Sequence, residues 1–296
     1  MATPRATPGQ WLEGARPRTL PAAVSPVLAG TGIAAFEHHL VWWKAALALL
    51  VSLALQVGVN YANDYSDGIR GTDEGRVGPL RLVGSGVAAP GAVRVAAFAA
   101  FGVAMLAGLV LAATTSWWLL VVGALGVVAA WFYTGGSRPY GYRALGEVMV
   151  FVFFGLVAVL GTTYVQTRSL PLAGWYAAVG VGALACAILV ANNLRDIPTD
   201  TASGKRTLAV ALGEERSRYL YALLVAAAAV ALVAVVLSTS RLALLGVAFL
   251  VPVVPGTRMV LEGASGRDLV PVLARTGTAE LLWGAGVFVG LLIASL

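Results

Sequence analysis

Charge is scarce in this sequence. Of 296 residues only 20 are Lys or Arg and 14 are Asp or Glu, 11% together, against about 25% in a soluble domain. Hydrophobic residues make up 59%, more apolar surface than a soluble fold of this size can hide. Disorder is excluded as well, since it needs low hydrophobicity and high charge. Cysteine is nearly absent. The single one, Cys186, sits in an apolar run and has no partner for an internal disulfide. Histidine occurs only as the adjacent pair His38 and His39. One cysteine and no separated histidines leave no usual ligand set for zinc or haem. The formal charge of +6 raises nucleic acid as a partner, but the placement of the bases gives a better account, and no nucleic-acid partner is expected.

What is abundant is long apolar runs, such as 45–59 and 222–237. A transmembrane β-barrel alternates apolar and polar residues; these runs do not, so helices are the reading. The expectation is an all-α polytopic membrane protein, one domain over 1–296, with nine spans near 20–36, 42–63, 90–113, 115–133, 145–166, 172–192, 219–238, 240–255 and 278–296. Residues 1–19 form a preceding segment. Trp11 and Leu12 suggest an interfacial stretch there, with a disordered tail as the equal alternative, and no convincing cleavage site follows, so the first helix reads as retained. With these spans, 17 of the 20 bases fall on one side, and only Lys44, Arg168 and Arg241 on the other. By the positive-inside rule the N-terminus is cytoplasmic, the C-terminus is extracytoplasmic, and the protein is multi-pass in the plasma membrane.

The acids follow a second pattern. Asp64, Asp67, Asp73 and Glu74 follow span 2, and Asp196, Asp200, Glu214 and Glu215 follow span 6. Eight of 14 acids thus sit in two expected cytoplasmic loops, 64–89 and 193–218, where positive-inside bias does not call for them. Asn60 and Asp64 are four apart; so are Asn192, Asp196 and Asp200. On a helix that spacing puts side chains on one face. Both Asn60/Asn192 and Asp64/Asp196 are 132 residues apart. The segments 59–67 (VNYANDYSD) and 190–200 (VANNLRDIPTD) therefore read as matched ends of a four-helix repeat, with the ninth helix left over. Such repeats place sites at their interface. Carboxylate and amide oxygens suit a hard cation, Mg²⁺ above all, which takes one or two carboxylates plus substrate phosphates. Arg70, Arg76, Arg138, Lys205 and Arg206 lie nearby in sequence and suit the phosphates. Asp67, followed by Gly68, reads equally well as a turn residue.

At these residues the sequence resembles the UbiA superfamily of intramembrane aromatic prenyltransferases. Segment 60–73 (NYANDYSDGIRGTD) is similar to the first Asp-rich motif, and 192–200 (NNLRDIPTD) with 204–208 (GKRTL) to the second. Segments 16–20 (RPRTL) and 133–136 (YTGG) resemble further family stretches. The matches run from Arg16 to Leu208, and the last third matches in hydropathy. The detailed form of both motifs is closest to the branch that acts on 1,4-dihydroxy-2-naphthoate in menaquinone synthesis. Two departures stand out. The residue four after Asp64 is Gly68, so Asp67 and Asp73 share one role; and the residue four after Tyr133 is Ser137, with Arg138 as the cation.

The resemblance implies a reaction: a polyprenyl diphosphate gives its prenyl group to the naphthoate ring, CO₂ is lost, and demethylmenaquinone forms. It implies Mg²⁺ on Asn60, Asp64, Asn192, Asp196 and Asp200, with Asp67 and Asp73 as further catalytic acids. The diphosphate would meet Asn60, Asn192, Arg70, Arg138 and Lys205, and Tyr133 would face the allylic cation, a residue that reads almost equally as an interface-belt tyrosine. The tail would rest in the bilayer or in a groove shaped by Gly155, Gly161, Gly180 and Gly182, residues that equally suit helix packing. Glu147 would meet the acceptor or pair with Arg143. Two alternatives stand beside this: another acceptor, such as 4-hydroxybenzoate or homogentisate, and a divalent-cation transporter, which requires acids inside the spans. Glu280, near the expected start of span 9, is the nearest such acid.

Overall fold

The computed structural model describes residues 6–71, 80–137 and 139–296. Its regular structure is helical throughout, with a lone bridge between Arg143 and Arg206. A short α1 (Pro8–Gly14) opens on a capping box, in which Thr7 and Gln10 exchange side-chain-to-backbone bonds. It leads through a turn at Pro17–Thr19, bent by 50°, into α2 (Pro21–Phe36). Then come α3 (Trp42–Arg70), α4 (Pro90–Thr114), α5 (Trp118–Phe132), α6 (Gly146–Thr167), α7 (Leu172–Ala202), α8 (Leu208–Ser238), α9 (Arg241–Leu261) and α10 (Gly266–Ala294). Seven of these are long and apolar enough to cross a membrane. The bent α1–α2 pair makes an eighth if it is one span, and α5 is a shorter apolar helix of 15 residues. Every one of the nine expected apolar segments is thus a helix, and the chain is an integral membrane protein.

The helix ends differ from expectation in a way that matters for the site. Hydropathy stops at the membrane edge, but the backbone hydrogen-bond ladder does not. α3 continues past Asp64 and Asp67 to Arg70, where Gly71 takes the left-handed conformation (φ 71°) that closes many helices. α7 continues past Asp196 and Asp200 to Ala202. Asn and Asp weaken helices by competing for their own backbone. Here their side chains bond to other side chains or to neighbouring elements instead, so the helices run on. α8 likewise begins early, at Leu208, capped by the Thr207 hydroxyl and broken once at Gly213. The expected loop 193–218 therefore shrinks to residues 203–207. At the other end of the chain α10 starts at Gly266, so Glu280 lies well inside a helix, fully buried, with Ser25 Oγ donating to its backbone carbonyl.

Packing splits into two bodies. The larger core joins α2 and α6–α10 around Trp283, Tyr221, Phe249 and Leu184. The smaller joins α1, α3, α4 and the stretch Leu80–Ala89 around Tyr61, Leu82 and Phe101. Within α6, Phe151–Leu160 is π-helical, a wide winding that is rare and usually short. This stretch meets α7 at glycines. A Cβ on Gly155 would lie 2.7 Å from the Ala178 carbonyl oxygen and 2.8 Å from Gly182 Cα, and one on Gly180 would lie 2.4 Å from the Trp283 ring. Gly155, Gly180 and Gly182 are thus packing residues; Gly161 alone of the four borders a cavity, with open space beyond it.

The packing makes a prediction. Gly155→Val should destabilise the α6–α7 contact by about 1–3 kcal/mol, the range for overpacked cores, and lower the melting temperature in detergent. Gly161→Ala should leave that temperature unchanged.

Candidate active site

Both motif helices present their oxygens in their final three turns, and each buried carboxylate there has a partner. Asp64 is 1% exposed, and its two oxygens accept the backbone N–H groups of Leu82 (2.7 Å) and Val83 (3.0 Å). Arg16, in the left-handed turn between α1 and α2 (φ 55°), adds a favourable charge. Asp67 accepts the Tyr142 hydroxyl at 2.5 Å, with Arg81 Nη2 3.9 Å away. Asn60 takes a different place from the one its spacing suggested. Its amide nitrogen donates to the Ala15 carbonyl (2.9 Å) and to Thr19 Oγ1 (3.0 Å), so it ties down the N-terminal turn; its oxygen accepts a longer bond from Gln56 (3.4 Å).

The second motif is tied by cations. Arg195 donates to both Asp196 oxygens at 2.7 Å and to Asn192 Oδ1 at 2.9 Å. Lys205 Nζ stands 3.9 Å from Asp200.

Tyr142 joins the two motifs. Besides Asp67, it has Lys205 Nζ 4.7 Å and the Arg70 guanidinium 5.8 Å from its ring centroid, both within cation–π range. Its carbonyl accepts the Arg206 N–H at 3.0 Å. Arg70 also donates to the Thr134 and Gly136 carbonyls, and Thr134 Oγ1 donates to Asn63 at 2.7 Å. The α5–α6 connection is therefore clasped between the ends of α3 and α7. Tyr133, at the end of α5, packs edge-on against Tyr140 with centroids 5.5 Å apart. The Tyr140 hydroxyl donates to the Ala129 carbonyl at 2.7 Å, and burial raises its pKa, so it stays protonated.

Asp64, Asp67, Asn192, Asp196, Asp200, Arg70, Lys205 and Tyr133 thus gather at one end of the bundle. Asp73 and Arg138, with Glu74 and Arg76, lie outside the described residues. Glu147 pairs with Asn193 (2.9 Å), not with Arg143. Sequence reasoning missed two contributors. Arg195 was visible as a base within the second stripe; Tyr142 carried no signal beyond being an aromatic among loop bases.

The donor set fits a hard divalent cation. It consists of oxygens only, on two helices linked through one tyrosine. Among the described residues no three His, Cys, Asp or Glu side chains form a complete metal cage. An ion held here would need other oxygens to finish its shell, as Mg²⁺ habitually does with water and phosphate.

An apolar cavity of about 770 Å³ begins beside the first motif. Asn60, Asn63 and Tyr133 line its mouth. Met105, Leu106, Phe153 and Phe154 form its walls, and Leu119 and Val165 lie at the far end. Met105 and Leu106 are 58% and 68% exposed, so this wall is shared with the lipid side. At the far end Lys44 Nζ donates to the Val165 carbonyl (2.7 Å) and Thr115 Oγ1 (2.9 Å), bracing α3, α4 and α6.

A site of acids and bases above a membrane-deep apolar cavity defines an intramembrane protein for molecules with an ionic head and a long apolar tail. The chain belongs to the UbiA prenyltransferase family, whose model matches residues 23–264. It is 54% identical over 278 residues to the 1,4-dihydroxy-2-naphthoate octaprenyltransferase of Mycobacterium tuberculosis, covering 94% of this chain and 95% of that one. It is 32% identical over 287 residues to the Bacillus subtilis protein of the same name, covering 94% and 90%. In fold it is similar to a UbiA homolog from Archaeoglobus fulgidus bound to GPP and Mg²⁺, with a TM-score of 0.68 at 15% identity over 95% of this chain and 99% of that one.

The Asp64 contacts predict a backbone signature. Asp64→Asn keeps one acceptor oxygen and loses the charge. Charge-assisted bonds contribute about 1.5–3 kcal/mol, so exchange at the Leu82 and Val83 amides should accelerate at least about tenfold in hydrogen-exchange mass spectrometry.

Proposed function

We propose that this protein transfers a polyprenyl group from a polyprenyl diphosphate to 1,4-dihydroxy-2-naphthoate with loss of CO₂, giving demethylmenaquinone in menaquinone synthesis. The observation that carries the reading is an apolar cavity that starts at Asn60 and Asn63, on the helix of the first motif, beside the gathered acids and bases. A diphosphate head placed between Asp64, Asp67, Asp196 and Asp200 leaves its tail at the mouth framed by Asn60, Asn63 and Tyr133. The relatives in Mycobacterium and Bacillus carry the name of this activity over nearly the whole chain. An ion pathway would need acids along its length, whereas this cavity is lined mostly by apolar side chains, its polar residues (Ser52, Gln56, Asn60, Asn63 and Thr162 among them) are uncharged, and the buried Glu280 does not line it.

The residues divide the work. Asp64, Asp196 and Asp200, with Asn192, would hold the metal, and Asp67 stands ready beside them. Mg²⁺ bound there would supply the charge stabilisation that makes diphosphate a leaving group. Arg70 and Lys205, already beside Tyr142, would take the remaining phosphate oxygens. Tyr133 faces the cavity mouth, where cleavage leaves an allylic carbon for the naphthoate ring to attack, and its ring face favours developing positive charge. The cavity would take the isoprenoid chain, each buried CH₂ contributing about 0.8 kcal/mol. We also place the site and the N-terminus on the cytoplasmic side and the C-terminus opposite, from the 17-to-3 split of bases.

Purified protein with Mg²⁺, octaprenyl diphosphate and the naphthoate should give a decarboxylated, prenylated product by mass spectrometry. Product formed only with 4-hydroxybenzoate or homogentisate would sink this reading. Asp64→Ala and Asp196→Ala should each lower the rate at least about 10²-fold, the scale for losing one charge-stabilising group, and EDTA should abolish it.

The cavity makes a separate prediction. Gly161→Leu projects into open space along the tail's path. KM should rise for octaprenyl diphosphate and change little for geranyl diphosphate, measured on the same preparation.

A further inference from the structure

We propose that Arg195 is an exchangeable counter-cation: it holds the second motif's oxygens until diphosphate arrives, and then moves from the carboxylate to the phosphate. This rests on the prenyltransferase reading and adds a coupling that reading does not require.

The geometry is specific. One guanidinium, 8% exposed, covers both oxygens of Asp196 and the oxygen of Asn192, all within 2.9 Å. Those are the three oxygens on this turn of α7 that a metal would use. Neighbouring residues on a helix do not face each other, so the Arg195 side chain must curl back to reach Asp196. The contact is therefore not a by-product of helical spacing. Its origin is electrostatic. A buried carboxylate stripped of its partner costs several kcal/mol, and a bidentate guanidinium is among the strongest partners a side chain supplies.

The first motif is held differently. Asp64 accepts two uncharged N–H groups, with the Arg16 charge as a further favourable contribution. At the second motif, a metal that takes Asp196 displaces a buried guanidinium, which then needs another anion. Diphosphate is that anion, because a guanidinium fork matches phosphate oxygens as well as it matches carboxylate. Metal alone must work against Arg195. Metal with diphosphate gives Arg195 a new partner. Binding of the two is thereby coupled, and linkage makes the coupling reciprocal.

The test is direct metal binding to the full chain in nanodiscs, with Mn²⁺ as the probe, followed by electron paramagnetic resonance and without any diphosphate. Arg195→Gln should bind Mn²⁺ about tenfold more tightly than wild type, a usual size for coupling between sites. The same variant should bind geranyl diphosphate more weakly. Arg195→Lys keeps the charge but offers a single point donor, so its Mn²⁺ affinity should fall between the two; it also serves if the glutamine variant fails to fold. Arg143→Gln, which removes an exposed nearby base, should change Mn²⁺ affinity by less than about twofold. A structural role for Arg195 predicts the opposite sign, since damage to α7 loosens metal. Mn²⁺ affinity equal to or below wild type in both Arg195 variants would overturn this proposal and leave the prenyltransferase reading standing. Failure of the wild type and of both Arg195 variants to bind Mn²⁺, with geranyl diphosphate present as well as without it, would overturn the metal reading and this proposal together.

Discussion

A buried carboxylate at the edge of a bilayer must have a partner, and the architecture of this protein's functional end follows from that. Four acids stand there, and each has its own solution. Asp64 uses the amides of Leu82 and Val83, and Asp67 uses the Tyr142 hydroxyl. Asp196 uses Arg195, and Asp200 has Lys205 beside it. Because the partners of Asp64, Asp67 and Asp200 come from outside their own helices, satisfying these acids also assembles the site. The stretch after α3 folds back to offer its amides, and the α5–α6 connection is drawn over the gap by Tyr142 and Arg70. Loss of charge elsewhere in the chain is the other side of the same constraint. Lys44, on the opposite side of the bundle, is kept only with oxygens around it.

The cavity follows from a second constraint, which concerns volume more than charge. α7 packs tightly because its glycines and alanines let α6 and α10 approach. α5 does not: it is short, and of its residues only Ala129 is buried. A loosely seated helix beside a π-wound segment leaves space between the two packed bodies. That space is apolar since its walls are ordinary membrane-helix faces turned inward. A protein handling a molecule that is half ion and half hydrocarbon needs both regions in contact. They meet at Asn60, Asn63 and Tyr133, which belong to the end of the cavity and to the edge of the site at once.

Much of this was legible in the sequence, for identifiable reasons. Nine apolar segments are visible because lipid requires each span to satisfy its own backbone. The two stripes are visible because i, i+4 spacing is local. What stayed hidden was every contact that crosses between elements. Asn60 reads as a metal oxygen, and nothing local foretells that its amide nitrogen also holds Ala15 and Thr19. Glu147 stood four residues from Arg143 and chose Asn193, from a helix nearly fifty positions away. The ends of α3 and α7 were misplaced because hydropathy measures where lipid stops, and backbone hydrogen bonding takes no notice of that boundary.

Those extended ends carry a further electrostatic meaning. A helix C-terminus bears roughly half a negative charge from its unpaired carbonyls, so stability favours cations in the last turns and acids in the first. α3 keeps Arg70 in its last turn and α7 has no base there, yet both carry acids near that end. Neither has an acid in its first turn, while Asp64 and Asp67 sit near the end of one and Asp196 and Asp200 near the end of the other. Four carboxylates and two helix termini therefore point negative potential at a single gap bridged by one tyrosine. The helix dipole does not account for this arrangement; the acids are held by Leu82, Val83, Tyr142, Arg195 and Lys205. The potential does favour a compact, multiply charged cation, and an anion only when it arrives with one. Arg16, Arg70, Arg81, Arg195 and Lys205 around the gap offset that potential.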